Sequence, residues 1–134
     1  MEKLDIRLIK GILFAHIDFW SIRDNDYFTM LFLIDTGAEA TTFSHYALEM
    51  LGYSIDVNKP VTVRTGGGIT TAYEVAIPKI KIGDIELTDI TANSNKYLDD
   101  FEMDGIIGMN VLMQFNFCVN FDENIMLLER RGIN

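Results

Sequence analysis

The 134-residue sequence is poor in the residues that staple, kink or chelate: one cysteine, two prolines, one tryptophan and two histidines. The lone Cys118 excludes an internal disulfide and a thiolate metal cluster, so a reducing, cytoplasmic setting is expected. His16 and His45 are too few and too scattered for a metal site. Basic residues are outnumbered 11 to 20, giving a formal net charge of −9, whereas binding nucleic acid through phosphates takes a concentrated basic face. Long apolar runs are missing too. The longest, Met30 to Ile34, is far short of the ~20 residues that cross a bilayer. Lys10 and Asp18 break the N-terminal apolar stretch, and no signal-type block precedes a small-residue cleavage site. With no repeat, low-complexity tract or composition shift, residues 1–134 read as a single domain.

What is present is a globular balance, 49% hydrophobic and 23% charged, arranged mostly in strand-length patterns. Residues 4–9 and 12–20 are β-rich, 21–26 form a polar turn, and Tyr27 to Ile34 is apolar enough for a strand buried on both faces. Ser44 can cap a short helix that runs through Leu51 and stops at Gly52. Strand patterning resumes at residues 61–65, and Pro78 marks an edge or bulge. Gly83-Asp84 is a two-residue hairpin signal. Residues 93–104 read as a polar, acidic loop, 110–115 as a short helix, and 116–121 with 125–129 as a closing hairpin. Cys118, between Phe117 and Val119, is expected to be a buried apolar residue. The fold class is all-β, barrel-like, with one or two short helices.

The chemistry concentrates at Leu33-Ile34-Asp35-Thr36-Gly37-Ala38. A carboxylate directly after an apolar strand emerges in a low-dielectric position, where ionisation is costly unless donors surround it. Thr36 offers a hydroxyl, and Gly37 allows a turn that brings amide donors beside the carboxylate. Asp-Thr-Gly by itself is equally a plain turn or Asx cap. Asp104-Gly105-Ile106-Ile107-Gly108-Met109-Asn110 adds two β-branched residues before a glycine and a short helix.

In these two elements the sequence resembles the retropepsin-like aspartic proteases, single-domain relatives of pepsin, over about residues 10 to 130. The resemblance implies a closed acid-protease barrel with Asp35 as the catalytic aspartate. Thr36, Gly37 and Ala38 would support its loop, and Ile106-Ile107-Gly108 would pack beneath it. Gly66-Gly67-Gly68-Ile69 would be the flap, a bendable hairpin tip that presents bare backbone to an extended peptide. The chemistry needs two carboxylates sharing one proton, and this chain has one Asp-Thr-Gly. An obligate homodimer acting on a peptide or protein substrate follows, without metal or cofactor. Alanine at position 38 cannot donate to the carboxylate as serine or threonine would, which favours a mildly acidic activity optimum. The complete terminal hairpin is closer to the cellular and bacterial branch than to the viral one.

The contrasting reading is a non-catalytic dimerisation or peptide-binding module on the same fold. Asp100, Glu102, Asp104 and Gly105 begin like a calcium loop, but Val111 stands where the closing glutamate belongs. No nucleophile-elbow glycines accompany Ser21 or Ser44.

Overall fold

The computed structural model describes residues 2–65 and 68–132. In chain order the elements are β1 (Glu2–Ile9), β2 (Ile12–Ser21), β3 (Asp26–Ile34), β4 (Thr42–Phe43), α1 (His45–Leu51), β5 (Pro60–Thr65), β6 (Gly68–Ile82) and β7 (Ile85–Ser94). A 3₁₀ helix (Lys96–Phe101), β8 (Gly105–Ile107), α2 (Met109–Leu112), β9 (Phe115–Asn120) and β10 (Ile125–Arg130) complete them. The strands join in the order β5-β6-β7-β4-β8-β3-β2-β1-β10-β9.

The all-β class expected from the sequence is what forms. The barrel expected to be closed is not formally so: only a short seam, Asp18↔Lys81 and Phe19↔Ile80, ties β2 back to β6. The sheet therefore curls onto itself through two rungs rather than a full ladder. The hairpin at Gly83-Asp84 forms, with Ile82 opposite Ile85 and Gly83 at φ 62°. The β6–β7 ladder lacks one rung at Pro78, which has no amide to donate, opposite Asp89 at φ 56°.

α1 starts and stops where its caps lie. Ser44 Oγ accepts from Ala47 N at 3.0 Å, and Gly52 adopts φ 87° while Tyr53 N donates to Leu48 O. The helix docks on the β2–β3 turn through Ile22 N to Leu51 O at 2.8 Å. At its heart the core holds Phe19, Phe32 and Phe43, all fully buried, with ring centroids 4.4 to 5.0 Å apart. Such tilted and edge-on pairs add about 0.5–1.5 kcal/mol each beyond burial.

Three expectations are corrected. β3 is not buried on both faces: Met30 and Phe32 are buried, Phe28 is exposed, and Leu31, Leu33 and Ile34 are half-buried. The apolar run hid a period-two alternation because its outer face is also apolar. Residues 93–104 are not a plain loop, since β7 extends to Ser94 and the 3₁₀ helix follows. Cys118 is exposed rather than buried, on β9 at the end of the strand order. The terminal hairpin itself forms as β9 and β10, and β10 also pairs with β1.

Candidate active site

The position of Asp35 follows from strand pairing. Leu33 and Ile34 pair in parallel with Ile106 and Ile107 of β8. Asp35 N extends that ladder by donating to Ile107 O at 3.1 Å. The chain then turns back: Ala38 N donates to Asp35 O at 3.2 Å, and Gly37 N donates to the Asp35 carboxylate Oδ1 at 2.8 Å. A Cβ at position 37 would stand 3.2 Å from that oxygen, so glycine keeps the approach open. Within one chain Asp35 and Ala38 are half-buried and Thr36 and Gly37 exposed. The deep burial expected for the carboxylate is therefore not present in the single chain. Its strand enters from the core, but the face above the loop is uncovered.

Beneath the loop lies the Ile106-Ile107-Gly108 element. Ile107 is fully buried. A Cβ on Gly108 would lie 2.4 Å from Ala40 O and 2.9 Å from Ala38 O, so the loop rests directly on bare backbone. Met109 N and Asn110 N then donate to Ala38 O and Glu39 O at 2.7 and 3.1 Å. A side-chain network locks the arrangement. Asn110 Oδ1 accepts from Thr41 N at 2.9 Å and Thr41 Oγ1 at 2.8 Å, and Asn110 Nδ2 donates to Thr91 O at 2.9 Å. Thr41 Oγ1 in turn accepts from Gly108 N at 3.2 Å.

The expected flap falls on the β5–β6 hairpin, in which Thr65 pairs with Gly68. Gly68 takes φ 117° and Ile69 is 70% exposed. Gly66 and Gly67 lie outside the described residues.

A cleft of about 910 Å³ runs past Asp35. Gly37 to Ala40 and Thr42 form one wall, Val61 to Arg64 of β5 another, and Asn93, Asn95, Tyr97 and Leu98 a third. The charged side chains on it are Asp35, Glu39 and Arg64. An open channel of this size, with a carboxylate on its wall, suits an extended chain more than a compact small molecule. Among the described residues, no three His, Cys, Asp or Glu side chains are grouped to hold a metal ion. None of the described helices is long and apolar enough to cross a membrane. Sequence reasoning singled out Asp35 and its loop but missed Glu39, Asn93, Asn95, Tyr97 and the bonding role of Asn110. The one available signal was the polar run Asn93-Ser94-Asn95 directly after an alternating strand.

A family model described as "gag-polyprotein putative aspartyl protease" matches residues 21–114, the span holding the Asp35 loop, the glycine hairpin and Ile106-Ile107-Gly108. The chain belongs to this retropepsin-like aspartyl protease family. Among solved structures, a retropepsin-like aspartic protease from Rickettsia conorii is similar at a TM-score of 0.65 and 21% identity. The match covers 94% of this chain and 89% of that one. At that identity the likeness establishes the fold. No curated protein matches the chain.

Proposed function

We propose that this family member is a homodimeric aspartic endopeptidase that hydrolyses peptide bonds in extended segments of a polypeptide. The observation that carries the reading is the Asp35 carboxylate, placed on a cleft wall and fixed by the Gly37 amide at 2.8 Å. A single carboxylate cannot act as base and acid together. Two copies of the loop facing each other across a two-fold axis would supply the pair, with one proton shared because adjacent like charges cannot both ionise. One carboxylate then takes a proton from the attacking water while the other protonates the scissile carbonyl oxygen. Water and two carboxylates suffice for this chemistry, so no metal or cofactor is required.

The exposed Thr36 and Gly37 fit the surface that a second copy would cover, and Thr36 would hydrogen-bond across to the opposing loop. The hairpin carrying Gly68 and Ile69 would close over the substrate. Ala38 offers no hydroxyl to the carboxylate, which supports a mildly acidic optimum. The exposed Cys118 fits a reducing cytoplasmic setting.

The test is cleavage of a peptide library by wild type and Asp35→Asn, with sedimentation measured at assay concentration. We expect a dimer, and a loss of about 10²- to 10⁴-fold or more in the variant. Indistinguishable cleavage profiles, or a monomer that retains full activity, refute the proposal.

A further inference from the structure

The C-terminal end of β7 carries an unusual polar group. Along this stretch Ala92 and Ser94 are fully buried, while the alternate residues Asn93 and Asn95 line the cleft. Asn93 is only 8% exposed, and its backbone N–H donates to Thr41 O at 2.9 Å. Its carboxamide has no hydrogen-bond partner among the described residues. The amide atoms keep access to the cleft, where a bound ligand can take the place of water.

The other cleft asparagines differ. Asn110 spends Oδ1 on Thr41 and Nδ2 on Thr91, and Asn95 spends Oδ1 on Tyr97 N. Asn93 alone of these three keeps both a donor and an acceptor open. Its setting is a defined pocket. Thr42 is the register partner of Asn93 on one side and of Ile106 on the other. The three side chains form one row across β7, β4 and β8, on the cleft that also holds Asp35.

We infer that Asn93 is a specificity-determining residue whose carboxamide recognises a carboxamide side chain, Gln or Asn, of the substrate; the inference rests on the endopeptidase reading above. The carboxamide lies on the cleft wall beside Thr42 and Ile106, within reach of a substrate side chain that projects inward. A carboxamide matches the open donor and acceptor at once. A lysine or a carboxylate satisfies one of them, and an apolar side chain strands both. The cleft charges Glu39 and Arg64 are exposed and lie outside this row.

The test compares matched peptides that differ only by Gln or Met at the library-selected position. Wild type is expected to favour Gln by about tenfold or more in kcat/KM. Asn93→Leu should reverse the preference towards Met. Asn93→Asp, which keeps the shape and replaces the donor with an acceptor, should move it to Lys or Arg and carries the test if the leucine variant fails to fold. Binding of the same peptides to Asp35→Asn, followed by fluorescence anisotropy, reads the pocket without cleavage. Failure of wild type to cleave any peptide overturns the endopeptidase reading, while the binding arm still measures the pocket. Equal binding of the Gln and Met peptides, no binding of either, or a preference unchanged in the folded Asn93 variants overturns the pocket.

Discussion

Thr41→Val removes one hydroxyl and nearly preserves the shape of the side chain, which isolates the bolt beneath the aspartate loop. Thr41 is 1% exposed, and its Oγ1 donates to Asn110 and accepts from the buried Gly108 N–H. In the valine variant the Gly108 amide stays buried without an acceptor, at a cost of about 1–3 kcal/mol. The lost donation to Asn110 adds a net ~0.5–1.5 kcal/mol, so the expected destabilisation is about 1.5–4.5 kcal/mol. Thr41→Ser is the control, since it keeps both bonds and loses one methyl group, about 1 kcal/mol. Urea denaturation of the two variants should place valine below serine by about 0.5–3.5 kcal/mol in the same background. A parallel fall in kcat is expected, because Gly108 carries the loop that holds Asp35. If Thr41→Val unfolds at the wild-type midpoint, the hydroxyl is not a structural bolt and the account of the site's rigidity is wrong.

Further tests address single contacts. Gly108→Ala sets a methyl group 2.4 Å from Ala40 O, backbone that cannot yield cheaply, and should cost about 3 kcal/mol or give insoluble protein; a soluble variant with wild-type stability contradicts this. The Asp104 carboxyl is pushed up by burial, partly offset by the Leu31 amide, so its ionisation penalises the fold as pH rises through that raised value. Asp104→Asn should therefore be more stable than wild type at neutral pH, the gain fading as pH falls below the ordinary carboxylate range; an equal difference at both pH values rejects the assignment. Burial pushes the Tyr53 hydroxyl up to about 12, and it donates to Trp20 O at 2.6 Å. The unfolded chain ionises near pH ~10, so stability should fall as pH rises from there towards 12. Tyr53→Phe should show less of that alkaline loss in denaturation curves, and an identical loss would rule Tyr53 out. A pH–rate profile for wild type is expected to peak in mild acid, and a peak confined to strong acid would refute the role given to Ala38.

The local devices were legible because each is written in a few adjacent residues. Ser44 and Gly52 bound α1, Gly83-Asp84 turns a hairpin, and Asp35-Thr36-Gly37 follows an apolar strand. Where the sequence misled, the deciding partner lay elsewhere in the chain. Cys118 carries an apolar pattern, yet it sits on the last strand of the sheet order and is exposed. Residues 93–95 look like polar loop, but Thr42 and Phe43 of β4 pair with Asn93 and Ser94 and carry them into the sheet.

The amino-acid order by itself determined that a strand would end in an aspartate, that glycines would follow it, and that a second Ile-Ile-Gly strand lay some seventy residues on. Backbone propensity and short-range capping are enough for that, since they act over a few bonds. Only the tertiary structure decided that β8 would slot beside β3, that Gly108 would lie bare against Ala38 and Ala40, and that Asn93 would face the cleft with its carboxamide open. Those outcomes depend on strand order and register, which are fixed by the packing of the whole sheet.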